Sequence, residues 1–183
     1  MDTLPKHGYI TTFRGQKFYY DSEDTQSINI EDIAHALANT CRFSGHSLDF
    51  YSVAEHSVWV SKLCDDPIEG LLHEGEEAYL CDLPSPLKRI LPDYRAMQDR
   101  VRKRVCEAFQ LTYPFSEDLK DCDWAQLKTE AKSLLVAHFP FEDFPTKKVS
   151  PYVPLCLDPE EAEVQFLRRY HEILNNGTNT RGT

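Results

Sequence analysis

The sequence has no CxxC pair. Its six cysteines stand apart at 41, 64, 81, 106, 122 and 156, which argues against a zinc ribbon or a thioredoxin-type motif. They read as small buried hydrophobes of a reducing compartment. No stretch approaches the roughly 20 apolar residues of a membrane span, and the N-terminus lacks a signal-peptide pattern. A cytoplasmic protein with no membrane partner is therefore expected. Positive charge is also scarce: 20 Lys and Arg stand against 30 Asp and Glu, a formal net charge of -10. Nucleic-acid polymers are bound by clustered cations that neutralise phosphates, so no such polymer is expected as a partner. A small anionic substrate needs only a few local cations. Internal repeats are absent, and the one low-complexity stretch, residues 175–183, is expected to be a disordered tail.

What is present suits one compact domain, 183 residues with 41% hydrophobic and 27% charged. Residues 9–20 carry β-branched and aromatic residues around Arg14-Gly15, a hairpin signal. From residue 28 to 136 the apolar spacing is helical. Ile30, Ile33, Ala34, Leu37 and Cys41 share one helical face, with Glu31 and Asp32 in the first turn where the dipole favours them. His35 lies off that face and takes no role. Residues 139–157 carry repeated prolines and no periodicity, so they read as an extended segment wrapping the helices. A last helix is expected over 158–174, with Ala162, Phe166, Leu167 and Tyr170 on one side. The fold class is all-α with a minor N-terminal hairpin, and a single domain spans 1–174.

The chemistry concentrates between Ser52 and Lys88. Ser52-Val-Ala-Glu55 is a capping box that starts a helix near Val53. Val53, His56, Val60 and Leu63 then form an inward stripe holding His56. Asp66-Pro67 starts a second helix, expected to run through Leu80, on which Gly70, His73 and Glu77 share a face. Glu74 follows His73 about 100° round. Burying several ionisable groups costs several kcal/mol unless a cation or good pairing compensates. Farther on, Ser116 caps a helix whose stripe Leu119, Asp123, Leu127, Ala131 and Leu134 has an acid at its middle, and that acid calls for a cation opposite it.

Three further stretches matter. Arg42-Phe-Ser-Gly-His46 groups a guanidinium, an aromatic ring and an imidazole in one loop, where Arg42 can pair with phosphate and Phe43 can stack on a base or tuck into the core. Asp82-Leu-Pro-Ser-Pro-Leu-Lys88 ends the second helix, with Pro84 and Pro86 stiffening the backbone. Between Tyr94 and Leu111 an amphipathic helix turns Met97, Val101, Val105 and Ala108 inward. Its Arg100, Arg102, Lys103 and Arg104 mostly face out, as a solvated or inter-subunit surface.

On RFSGH, FYSVAEHS, LLHEGEEAYLCDLPSPLK and DWAQLKTE the chain resembles the HD-domain phosphohydrolases. The nearest likeness is to small phage and bacterial nucleotide hydrolases, the phage dATP triphosphohydrolases and the HD-type deoxynucleoside 5'-nucleotidases. The similarity covers roughly residues 28 to 135. It implies an HD-domain helical bundle in which His56, His73, Glu74 and Asp123 hold a divalent metal. It also implies that Asp82 is catalytic, and that Arg42, His46, Pro84 and Lys88, with Phe43, line a nucleotide pocket; Glu77, one turn from His73, is the second catalytic candidate, placed to orient a water or move its proton. One position departs: the aspartate of the His-Asp pair is Glu74. Mixed imidazole and carboxylate ligands suit Mn, Fe, Co, Ni or Zn, with a second ion such as Mg at a carboxylate-rich site. The expected partner is a small nucleotide and the expected assembly a homo-oligomer, in a host cytoplasm if the chain is phage-encoded. A nucleotide-binding sensor or a structural subunit built on the same fold is the alternative.

Overall fold

The hairpin forms where the Arg14-Gly15 signal places it. In the computed structural model the described residues are 8–136 and 145–179, with side chains described as far as residue 176. Strand β1 (Tyr9–Thr11) pairs antiparallel with β2 (Lys17–Tyr19), Ile10 opposite Phe18. Gly15 closes the turn at φ 77°, a conformation costly for residues with a Cβ. Phe18 ties the hairpin to the core: it is fully buried and stacks on Tyr79 at 4.1 Å.

The other regular elements are helices. In order come α1 (Ile30–Asn39), α2 (Val53–Ser61), α3 (Pro67–Leu72), α4 (Glu77–Leu80), α5 (Ser85–Arg89), α6 (Pro92–Phe109), α7 (Glu117–Leu134) and α8 (Pro159–Asn179). Helix α2 is the axis, packed by α1, α3, α7 and α8. Every one of its residues is buried, so His56 is inward because the whole helix is, and no stripe decides it. Its polar residues then need internal partners. Ser52 caps it as expected, accepting from Glu55 N at 3.1 Å. The other half of the capping box does not form. The Glu55 carboxylate accepts instead from Leu155 N at 2.6 Å, Leu157 N at 3.0 Å and Trp59 Nε1 at 3.1 Å. Glu55 thus fastens the proline-rich segment, which carries no regular secondary structure from residue 145 to 157; the part of that segment before 145 lies outside the described residues.

Four local expectations are corrected. The helix expected from Pro67 through Leu80 breaks at residues 73–76, where Gly75 N and Glu77 N donate three residues back, to Leu72 O and Glu74 O. The Pro-Ser-Pro run opens the short helix α5, because proline in a first turn gives up no intrahelical bond. The final helix continues past Leu174 to Asn179 and takes in the start of the expected tail, whose residues 180–183 lie outside the described residues. Arg104 does not face out. It is buried beneath the hairpin, donating to Tyr19 O at 2.9 Å and Asp24 O at 2.6 Å, with its guanidinium 4.2 Å from the Phe18 ring.

Two apolar clusters hold the helices together. The larger joins Phe18, Leu37, Val58, Leu71, Val101 and Phe166, and the smaller joins Val60, Cys64, Leu119 and Cys122. Each large side chain so buried contributes about 1.5–3 kcal/mol. Among the described residues no helix is long and apolar enough to cross a membrane.

Candidate metal centre and cleft

Gly70 is where the centre begins. A Cβ there would stand 2.8 Å from Ser61 Cα, so only glycine lets α3 close on α2 this tightly. The approach brings His73 Nε2 to 3.3 Å from His56 Nε2. Gly70 also orients its neighbour, since its carbonyl lies 2.8 Å from His73 Nδ1. A carbonyl only accepts, so Nδ1 carries the proton and Nε2 presents a lone pair. His56 is set in the same sense by Glu130 Oε1, 2.7 Å from its Nδ1. Helix α7 supplies the third group: Asp123 Oδ1 is 3.2 Å from His56 Nε2 and 4.0 Å from His73 Nε2.

Three acceptor atoms therefore converge with no protein donor between them unless an imidazole takes a second proton. Bonds of about 2.1 Å to one cation place neighbouring ligands about 3.0 to 3.4 Å apart, from octahedral to tetrahedral geometry. The contacts of His56 fit that range, and the longer His73 to Asp123 edge requires a small adjustment. Without a cation, burial and Arg42 push His56 towards neutrality, but Glu130 and the hydrogen bond to Asp123 outweigh them and carry its pKa up to about 9. Burial pushes His73 the other way, below its ordinary value. Burial works against ionised Asp123 too, yet the two imidazoles and Arg42 hold its carboxyl well below the usual range.

Glu74 stands off this trio. Its Oε1 is 3.8 Å from His73 Nε2, and it also groups with Glu76 and Glu77 on the far side. Glu76 is fully buried and bonded to Gln98 at 3.1 Å and to Arg102, so Arg102 is likewise not the outward residue expected from the basic run. Glu77 is buried behind the cleft with Oε1 2.7 Å from Lys88 Nζ. Burial, with Glu74 and Asp82 nearby, raises the Glu77 carboxyl well above its ordinary value.

A cleft of about 620 Å³ opens beside the trio, its lining including Arg42, Phe43, Glu74, Asp82, Pro84, Lys88, Asp123 and Trp124. Its size falls in the range of small-molecule sites. The loop that presents Phe43 is strained: Phe43 (φ 54°) and Ser44 (φ 52°) are both left-handed, at roughly 1–2 kcal/mol each. Hydrogen bonds at its ends, Arg42 N to Tyr51 O at 2.8 Å and Val53 N to Thr40 O at 3.0 Å, pin it. Phe43 packs partly buried on the core and also lines the cleft. His46 does neither; it is exposed and lies away from the lining.

Asp123 also differs in detail from the sequence reading. The buried face of α7 is Leu119, Cys122, Ala125, Gln126, Glu130, Ala131 and Leu134. Asp123 lies beside it, with 33% of its side chain exposed, towards the cleft. The residue that sequence reasoning missed is Glu130. Fully buried, its Oε1 accepts from Tyr51 OH and His56 Nδ1, both at 2.7 Å. Its Oε2 lies 3.2 Å from Arg42 Nε, an ion pair without hydrogen-bond alignment. Arg42 is thus anchored from behind while it borders the cleft. Trp124, the cleft's second aromatic residue, was missed as well, although DWAQLKTE contains both.

The chain is 37% identical over 171 residues to the uncharacterized protein YfdR of Escherichia coli (strain K12), a match covering 90% of this chain and 95% of that protein. The chain belongs to the YfdR family. An uncharacterized protein of Rhodobacter capsulatus is 30% identical over 170 residues, covering 81% of the chain and 87% of the relative. No family profile matches the sequence.

Proposed function

We propose that this member of the YfdR family is a metal-dependent phosphohydrolase of small deoxynucleotides, of the HD-domain type that its motifs resemble. The observation that carries the reading is the convergence of His56 Nε2, His73 Nε2 and Asp123 Oδ1 beside a cleft that Asp123 lines together with cations and aromatic faces. His56, His73 and Asp123 hold the ion, with Glu74 as the fourth, longer-armed ligand. A divalent ion there supplies a Lewis acid that polarises a phosphoryl oxygen and lowers the pKa of a bound water.

The protein's own groups do the rest. Glu130 holds His56 in the tautomer that bares Nε2 and keeps Arg42 at the cleft. Arg42 and Lys88 bind phosphate oxygens, Phe43 and Trp124 offer faces to a base, and Pro84 borders the sugar. Burial, with Glu74 nearby, raises the Asp82 carboxyl against the pull of Arg42 and Lys88, which suits it to hold and release a proton closer to neutrality. Glu77, expected to be catalytic, instead positions Lys88. The substrate is a dNTP or a dNMP, and the assembly a homo-oligomer in the cytoplasm.

The test is divalent-ion-dependent release of phosphate or polyphosphate across a panel of nucleotides. Turnover of mononucleotides is expected; cleavage of DNA alone would overturn the proposal. A nucleotide-binding sensor is the second reading, favoured by the burial of Glu77 away from the cleft, and binding without turnover over the whole panel would select it.

Glu74 offers a finer test. Glutamate reaches about 1.5 Å farther than aspartate, and ligand distances tolerate only about 0.2 Å. Glu74→Asp is expected to tighten divalent-ion binding by about tenfold and to raise turnover. A folded Glu74→Asp protein that loses metal would show the centre to be built around the longer arm.

A further inference from the structure

A second group of ligand-type atoms lies at the other end of α2, where nothing in the proposed function uses it. Cys64 follows that helix, and Asp118 and Cys122 stand one turn apart on one face of α7. Cys64 Sγ, Cys122 Sγ and an Asp118 carboxylate oxygen all lie within 4.8 Å of one another. Cys122 Sγ is 3.7 Å from Asp118 Oδ2. Tetrahedral coordination with metal–sulfur bonds near 2.3 Å and metal–oxygen bonds near 2.1 Å gives a sulfur–oxygen edge of about 3.6 Å. Asp118 Oδ2 is held from behind by Asp65 N at 2.9 Å. The walls are Val60, Leu119, Leu63 and Phe115, an apolar shell around the donors.

A positive charge already sits on two of these donors. Lys148 Nζ, from the extended segment, bonds to Asp118 Oδ1 and lies 3.3 Å from Cys122 Sγ. The ammonium shares the anionic donors that a cation would take, and its flexible stem lets it leave. We propose that Cys64, Cys122 and Asp118 form a binding site for a thiophilic divalent cation of the zinc class, and that Lys148 occupies the site's anionic donors when the cation is absent. The ion would clamp the end of α2 to the first turns of α7, the two helices that carry His56 and Asp123. Two thiolates and one carboxylate favour a soft or borderline ion over Mg or Ca. The site stands independently of the His56 centre.

Titration of the full chain with Cd(II) tests this, because thiolate ligation adds an ultraviolet charge-transfer band that imidazole and carboxylate ligands do not. The wild type is expected to develop the band, and His56→Ala to retain it, whatever becomes of the first centre. The double variant Cys64→Ser/Cys122→Ser is expected to lose it. Two variants at partly exposed positions give opposite signs without disturbing the core: Asp118→Asn weakens Cd(II) binding, and Lys148→Met strengthens it by removing the competing charge. Absence of the band in the wild type overturns the proposal. So does a band unchanged in the double variant, or Asp118→Asn and Lys148→Met both leaving affinity where it was.

Discussion

Glu130→Ala is expected to destabilise the fold by about 3–5 kcal/mol, the cost of removing one partner of a buried charge cluster. Glu130 is fully buried and serves three groups at once: the Arg42 guanidinium, the His56 ring and the Tyr51 hydroxyl. Its removal leaves Arg42 buried without its strongest counter-charge, and the bare Tyr51 and His56 donors add to the loss. Glu130→Gln is expected to cost less, since an amide oxygen still accepts. Urea unfolding of the metal-free proteins measures the difference. The pH dependence has a definite sign. His56 is raised from 6.5 to about 9 in the folded chain, so its stabilising contribution is whole below pH 6.5 and is lost as pH rises through about 9. Glu130 is held below its ordinary value because His56 and Arg42 outweigh the effect of burial. Its contribution is present above that ordinary value and fades only in acid. The alkaline loss should shrink in Glu130→Ala, because one of the two carboxylates that raise His56 is gone. An Ala variant as stable as the wild type, or one with an unchanged alkaline slope, would show that the cluster does not act as described.

That Glu130 escaped the sequence reading while Asp123 did not has a physical cause. An acid between Leu119 and Leu127 breaks an apolar stripe and is visible from spacing alone. Glu130 stands at the far end of DWAQLKTE beside Lys128 and Lys132, where its neighbours suggest a solvated turn. Only the rotation of α7 shows that Gln126 and Glu130 share the buried face with Ala125 and Ala131. Arg104 was misread for the same reason: three cations around it describe a surface, and its partners, the Tyr19 and Asp24 carbonyls, are some 80 positions away in the chain. The break at residues 73–76 was passed over although Gly75, a poor helix former, stands in it between Glu74 and Glu76, which are good ones. His56 and His73 were legible as inward residues of helices whose starts are marked by local caps, Ser52 and Asp66, and Asp82 by the motif resemblance. The contact between Gly70 and Ser61, which brings the two histidines together, is tertiary and has no local signature.

Asp123→Ala is expected to abolish metal retention in a chain that still folds. In the wild type two imidazole Nε2 atoms and a carboxylate converge at one point. Removing the carboxylate takes away the one anionic ligand of the converging trio, and Glu74 is too far round to replace it, with Oε1 at 3.8 Å from His73 Nε2. Two neutral imidazoles are a poor site for an ion that prefers mixed nitrogen and oxygen donors. The fold should tolerate the change, since Asp123 is 33% exposed at the side chain and lies beside the packed face of α7. A surface-edge truncation of this kind costs about 1 kcal/mol, well below the cost at Glu130. His56 also loses the hydrogen bond that helps to raise its pKa, so its titration should move down in the variant, a shift readable by NMR. Elemental analysis after dialysis, together with circular dichroism to establish folding, gives the decisive comparison with wild type. Unchanged metal content would refute the assignment only if the thiol group were silent, so the measurement belongs in a Cys64→Ser/Cys122→Ser background. Metal retained there by folded Asp123→Ala protein would remove Asp123 from the centre, and the proposed phosphohydrolase chemistry with it.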